Sequence, residues 1–182
     1  MLVTAVFEKL GIPYYIGGSV ASTIYGKIRT THDIDLIADI RPDQVEDILE
    51  DLHQYFYVDA EMIFDAIHHH SMFNLVHFAS TFKVDVFAPR SSAYEQMRFQ
   101  RRVQYTVNDD AGQVVYVASV EDVILSKLEW YELGHRVSER QWTDILGVIQ
   151  VQRDRLDRDY LTRWAAELGV SELLEQALRE AE

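Results

Sequence analysis

The 182-residue sequence contains no cysteine, so disulfide bonds and thiolate metal sites are excluded. Positive charge is scarce, because 17 lysines and arginines stand against 30 aspartates and glutamates, for a formal net charge of -13. An extended nucleic-acid surface is therefore not expected, since such a surface needs clustered basic residues. No apolar run is long enough to cross a membrane, and the N-terminus shows no secretory signal. We therefore expect a cytoplasmic protein that does not bind membranes.

Apolar residues are plentiful, at 48% of the chain, which is enough for a packed core. Strand-type patterns occur from Tyr14 to Val117 and end in two hairpins, one of them around Ala79-Ser80-Thr81. After Val117 the strand-type pattern disappears and helical spacing continues to the end. The sequence therefore predicts an α/β core over residues 1–118, followed by a helical subdomain over residues 119–182.

The most informative stretch runs from Ile16 to Ile37, and it opens with a glycine turn. An apolar strand ends at Ile16 and is followed by Gly17, Gly18 and Ser19. Two glycines let the main chain approach a ligand closely. Ser19 is a favourable N-cap for a short helix, whose free N–H groups attract phosphate. The turn is therefore a candidate phosphate-binding site.

A strand with two aspartates follows the glycine turn. Strand alternation places four polar residues on one face: Arg29, Thr31, Asp33 and Asp35. The two carboxylates start about 6.6 Å apart along the strand, and they repel each other unless a cation lies between them. Magnesium is commonly held by one or two carboxylates together with substrate phosphates. The turn and the Asp-x-Asp strand together predict metal-assisted phosphoryl chemistry; each alone also fits a plain turn or exposed aspartates.

Gly17-Gly18-Ser19 followed by Asp33-Ile34-Asp35-Leu36 resembles the signature of the DNA polymerase beta-like nucleotidyltransferase superfamily. The preceding Arg29-x-Thr31-x-Asp33 resembles the abortive-infection toxin (AbiEii-like) branch. The resemblance implies a nucleotidyltransferase core with a mixed sheet backed by helices, plus the C-terminal helical subdomain. It also implies that the glycine turn and Arg29 bind the triphosphate, and that Asp33 and Asp35 hold two Mg²⁺ ions.

Three further residues are candidates through the same resemblance. Superfamily members carry a third carboxylate on a later strand, and Asp85 in Phe82–Phe87 occupies such a place; an exposed strand face, favoured by the neighbouring Lys83, is the alternative. The segment around Lys127 resembles the branch's nucleotide-facing lysine, and the segment around Asp144 resembles its acidic helix motif. The alternative is a surface lysine with an unrelated aspartate.

The resemblance implies transfer of a nucleoside monophosphate from a nucleoside triphosphate to a protein or tRNA acceptor. Asp33, Asp35 and Asp85 would be the catalytic, metal-binding residues, with Thr31 and Asp144 supporting the site. A place in the toxin branch implies a toxin–antitoxin or phage-defence role, with a cognate toxin or antitoxin as partner. The alternative is a non-catalytic antitoxin or regulator that binds nucleotide without turnover.

Overall fold

The structure is a computed structural model that describes residues 2–28, 30–31, 33–108 and 112–181. The chain forms two compact units. The first comprises Met1–Gly17 and Thr31–Val117, and the second comprises Gly18–Thr30 and Ala118–Glu182. The long segment of the second unit begins at Ala118, whereas the sequence prediction starts the helical subdomain at residue 119. The second unit also includes residues 18–30, which the sequence prediction assigns to the α/β core.

The first unit is built on a seven-stranded sheet with the order β3-β4-β5-β2-β1-β7-β6. Its strands are β1 (Tyr14–Ile16), β2 (Asp33–Ala38), β3 (Phe56–Tyr57), β4 (Met72–His77), β5 (Lys83–Phe87), β6 (Val103–Asn108) and β7 (Gln113–Val117). β2 pairs with β5 and β1 pairs with β7 in parallel, while the other neighbours are antiparallel. Because both directions occur, the sheet is mixed, and the predicted fold class is confirmed.

Helices precede, interrupt and follow these strands. They are α1 (Leu2–Lys9), α2 (Gly18–Tyr25), α3 (Val45–Leu52), α4 (Ala60–His69), α5 (Ala93–Arg101), α6 (Val120–Leu133), α7 (Glu139–Gln152), α8 (Arg158–Glu167) and α9 (Ser171–Glu180). Short 3-10 turns at Pro42–Gln44 and Arg153–Arg155 adjoin α3 and α7. No helix in the described ranges is both long enough and apolar enough to cross a membrane.

One face of the sheet forms the core of the first unit. Leu36, Leu75 and Val86 lie on three neighbouring strands and have no exposed surface. Phe7 of α1 is also fully buried, and its ring contacts that of Tyr14 with 6.0 Å between centroids. Because side chains alternate along a strand, the residues between these apolar positions point to the opposite face, where the aspartates lie.

α5 covers part of that opposite face. Tyr15 pairs with Ile37 across β1 and β2 and is fully buried. Its ring contacts Phe99 of α5 with 5.1 Å between centroids, and the Arg98 guanidinium lies 5.2 Å from the ring centroid. This end of the face is therefore closed by packing, and the polar residues lie towards the other end of β2.

The second unit is helical and includes α2. The Tyr25 hydroxyl donates to the Ala118 carbonyl at 2.9 Å, and the Gln152 side-chain amide donates to the Tyr25 carbonyl at 2.9 Å. A side chain on Gly26 would lie 3.0 Å from the backbone nitrogen of Val148 in α7. The short helix after the glycine turn is therefore packed closely with the C-terminal helices.

Tyr14 gives the first unit a pH dependence at alkaline pH. Burial, followed by its 2.6 Å hydrogen bond to Glu8, raises the pKa of the Tyr14 phenol above its ordinary value. A raised pKa stabilises the folded state fully below the unfolded pKa of about 10, and that contribution is lost as the pH rises through the folded pKa. We expect the free energy of unfolding to fall more steeply above pH 10 in wild type than in Tyr14→Phe. Urea unfolding from pH 8 to 12 measures this, and parallel curves would contradict it.

Candidate active site

A row of residues crosses four neighbouring strands or strand ends on the face opposite the core. Asp35 of β2 pairs with Asp85 of β5, and Asp85 pairs with Asn74 of β4. On the other side of β2, the Gly17 N–H donates to the Asp35 carbonyl at 2.9 Å, which continues the antiparallel pairing of β1 and β2. Paired residues point to the same face, with neighbouring strands about 4.8 Å apart. The sheet therefore places the side chains of Asp35 and Asp85 side by side.

Asp33 lies in the next row of the same face. It pairs with Lys83 of β5, two residues before Asp35 and Asp85. The Thr31 hydroxyl donates to Asp33 Oδ1 at 2.8 Å, which limits the rotation of this carboxylate. Three carboxylates and one ammonium group thus share the face. The role of Thr31 in supporting the site stays a prediction.

Asp85 is held by two donors on the same oxygen. The Asn74 side-chain amide donates to Asp85 Oδ1, and the Lys83 ammonium lies 2.9 Å from that oxygen. Within the described residues no hydrogen bond reaches the second oxygen, Oδ2. The Asp85 side chain is only 11% exposed. Asp85 is therefore a largely buried carboxylate with a fixed orientation.

These oxygens suit a hard cation by chemistry, since magnesium takes oxygen ligands and carboxylates above all. In the part of the chain that the structure describes, however, no group of three or more histidine, aspartate or glutamate side chains is arranged to hold a metal ion. The donor types fit magnesium, whereas the carboxylates do not already surround one point. Asp33, Asp35 and Asp85 as metal ligands thus stay a prediction.

The glycine turn differs from the prediction in one detail. α2 begins at Gly18, so Ser19 lies inside its first turn and is not the N-cap. Gly18 has a φ of 52°, in the left-handed region that favours glycine. A side chain on Gly17 would come within 2.9 Å of Ile37 Cδ1. Local backbone conformation and packing therefore explain why glycine occupies both positions. Arg29, the predicted cation of this turn, lies outside the described residues.

The left-handed Gly18 predicts a cost for alanine there. Gly18→Ala should lower the free energy of unfolding by about 1–2 kcal/mol, because the added Cβ is strained at positive φ. Gly147→Ala is the control. Gly147 lies inside helix α7, and a Cβ there would be 3.5 Å from the Lys27 side chain, an ordinary van der Waals distance. That change should be neutral or slightly stabilising, because alanine favours helix. Urea unfolding compares the two, and equal effects would contradict the assignment of strain to Gly18.

Lys127 and Asp144 meet in the second unit. Lys127 Nζ lies 2.9 Å from Asp144 Oδ2 and 3.4 Å from Gln141 Oε1. The lysine is only 6% exposed. The alternative of a surface lysine beside an unrelated aspartate is therefore wrong. The pair is a buried ion pair between α6 and α7, and a role in nucleotide binding stays a prediction.

Sequence reasoning missed two contacts of the aspartate face. It did not single out Asn74, and it used Lys83 only as a sign of an exposed strand. The sequence did indicate Asn74, because it is a polar residue between Phe73 and Leu75 at the apolar beginning of a strand. Which carboxylate it would meet depends on the register between β4 and β5, and that register is set by the fold.

Solved structures share this fold. The chain is similar to an antigenic nucleotidyltransferase-like protein from Paracoccidioides brasiliensis, with a TM-score of 0.55 and 18% identity over 98% of this chain and 90% of that one. It is similar to ANT(2'')-Ia in complex with adenylyl-2''-tobramycin, with a TM-score of 0.56 and 11% sequence identity over 92% of each chain. It is also similar to lincomycin-bound lincosamide antibiotic adenylyltransferase LnuA, with a TM-score of 0.50 and 13% sequence identity over 81% of this chain and 92% of that one. The fold is thus that of the nucleotidyltransferases.

A family match makes the assignment narrower. Residues 9–167 match the family described as "Nucleotidyltransferase of unknown function (DUF6036)", and this chain belongs to it. The predicted relation to nucleotidyltransferases is confirmed at this level. No curated protein matches the chain in a sequence search.

Proposed function

We propose that this protein is a magnesium-dependent nucleotidyltransferase of the cytoplasm. It would transfer a nucleoside monophosphate from a nucleoside triphosphate to a hydroxyl group of a protein or RNA acceptor such as tRNA. The observation that carries this proposal is the pairing of Asp35 with Asp85 on one sheet face, with Asp33 in the adjacent row. The core, residues 1–118, would supply the chemistry, and residues 119–182 would assist nucleotide binding.

Asp33, Asp35 and Asp85 are the residues that would hold two Mg²⁺ ions. When bound, magnesium would neutralise charge on the triphosphate and on the leaving group. Asp85 Oδ2 would accept the proton of the acceptor hydroxyl while the hydroxyl oxygen forms a bond to the α-phosphorus. The bond from the α-phosphorus to the bridging oxygen would break, and pyrophosphate would leave with the electron pair. Thr31 would keep Asp33 in position throughout.

The triphosphate would be bound by Gly17, Gly18 and Ser19, because backbone N–H groups at a helix start attract phosphate. Arg29 and Lys127 would add positive charge, and Asp144 would orient Lys127. The support for Asp144 is its 2.9 Å contact with the lysine. Resemblance of the Lys127 and Asp144 segments to the AbiEii-like toxins favours a toxin–antitoxin or phage-defence role, with a cognate protein as partner.

A second candidate is a regulator that binds nucleotide without turnover. One observation favours it, because Asp85 is already ion-paired with Lys83. The two candidates differ in a single experiment. Labelled nucleoside triphosphates with magnesium are incubated with the protein and with protein or tRNA acceptors. Label on an acceptor together with pyrophosphate release supports the transferase; binding without either product supports the regulator.

A further inference from the structure

Lys83 lies on the face that carries the three aspartates, and nothing in the proposed reaction uses it. We propose that Lys83 is a displaceable counterion: it neutralises Asp85 in the metal-free protein and releases it when a divalent cation binds, while Asn74 keeps its hold. The inference rests on the proposed function, because it concerns the same metal-binding face. It assigns Lys83 and Asn74 opposite effects on metal affinity.

The geometry puts the lysine where it competes with a metal ion. Lys83 is the register partner of Asp33, and its ammonium reaches two residues along β5 to lie 2.9 Å from Asp85 Oδ1. On this face Lys83 therefore neighbours two of the carboxylates proposed to bind metal, Asp33 on the paired strand β2 and Asp85 along β5. A divalent cation that binds Asp85 must replace Lys83 as the positive charge that neutralises this carboxylate.

The two donors to Asp85 differ in how easily they leave. The Lys83 side chain is 44% exposed, so water can replace Asp85 as its partner. Exposed ion pairs are weak, and lysine is a flexible, strongly hydrated charge. Asn74 is half-buried on the neighbouring strand β4 and carries no charge to repel a metal. Lys83 is thus the donor that moves, and Asn74 is the donor that stays.

Removing each donor should therefore shift metal affinity in a different direction. Lys83→Met removes the competitor and should tighten binding about fivefold, the upper end for loss of an exposed ion pair. Lys83→Arg keeps the charge and should bind nearly as wild type does. Asn74→Ala frees the Asp85 carboxylate to rotate and should weaken binding about tenfold, as loss of a partner that orients a ligand commonly does.

The experiment is a titration of the full chain with Mn²⁺, an oxygen-preferring ion that electron paramagnetic resonance detects directly. Displacement of Mn²⁺ by Mg²⁺ then gives the magnesium affinity. Lys9→Met is the control for net charge, because Lys9 carries the same charge and forms an ion pair 2.7 Å from Asp51, outside the aspartate face. Asp35→Asn shows whether the measured ion is at the aspartates.

Tighter binding in Lys83→Met, with Lys83→Arg and Lys9→Met unchanged and Asn74→Ala weaker, is the expected result. If wild type shows Mn²⁺ binding that depends on Asp35 while Lys83→Met binds equally or more weakly, the counterion role is overturned and the metal site stands. If Lys9→Met tightens binding as much as Lys83→Met, the effect is one of net charge and the counterion role is overturned. If wild type shows no Asp35-dependent binding, the inference and the proposed metal site both fail.

Discussion

Asp35→Asn is expected to reduce nucleotidyl transfer by about a thousandfold. Asp35 lies beside Asp85 and two residues from Asp33, so it is the carboxylate closest to both of the others in the sheet. Its loss would remove a charged metal ligand, and metal stabilisation of the transferring phosphoryl group is worth several kcal/mol. Each 1.36 kcal/mol corresponds to a tenfold change in rate.

The measurement is the rate of label transfer at saturating magnesium and nucleotide. Asp39→Asn is the matched control, because Asp39 follows the same strand and is exposed. It should keep the wild-type rate. Thermal unfolding supplies a second readout: magnesium with triphosphate at about 100 times the dissociation constant should stabilise wild type by about 2.7 kcal/mol and Asp35→Asn far less. An equal thermal shift in both proteins would refute the role of Asp35.

Lys127→Met is expected to lower the free energy of unfolding by about 3–5 kcal/mol, because it removes the Lys127 cation from the largely buried Asp144 carboxylate. If Lys127 were an exposed charge that faces the nucleotide, its replacement would change the free energy of unfolding little. Its 6% exposure predicts otherwise. The substitution alone therefore cannot separate a role in nucleotide binding from a role in folding.

The double variant Lys127→Met with Asp144→Leu separates the two roles. Replacing a buried ion pair by apolar residues is often neutral or stabilising. The double variant should therefore recover most of the lost stability in urea unfolding. If it also recovers triphosphate affinity, Lys127 acts only on the fold; if affinity stays low, the lysine contributes charge to the nucleotide. A double variant no more stable than Lys127→Met would show that the pair is not the source of the loss.

Strand alternation made much of the first unit predictable. The pattern around Asp33 and Asp35 predicts one polar and one apolar face, and Leu36 is fully buried as that pattern requires. The strand around Asp85 could be recognised for the same reason. The partners of Asp85 could not be predicted, because they depend on which residues of β4 and β5 are opposite each other. Local sequence does not determine such long-range register.

Burial in the helical unit was less accessible from sequence. A lysine on a helix is ordinarily exposed, but Lys127 is buried where α6 packs against α7, and this packing brings Asp144 to it. The first residue of α2 was also missed. Serine after two glycines favours an N-cap, but Gly18 can adopt a positive φ and begins the helix itself.

The chain enters the helical unit at residue 18 and leaves it at residue 30, long before the rest of that unit occurs in the sequence. A ribosome making this protein would release α2 while α6 to α9 were still untranslated. The Tyr25 hydroxyl would be synthesised 93 residues before the Ala118 carbonyl to which it donates. Completion of the fold during synthesis must therefore follow translation of the C-terminal helices, because a segment as short as α2 does not form a stable helix on its own.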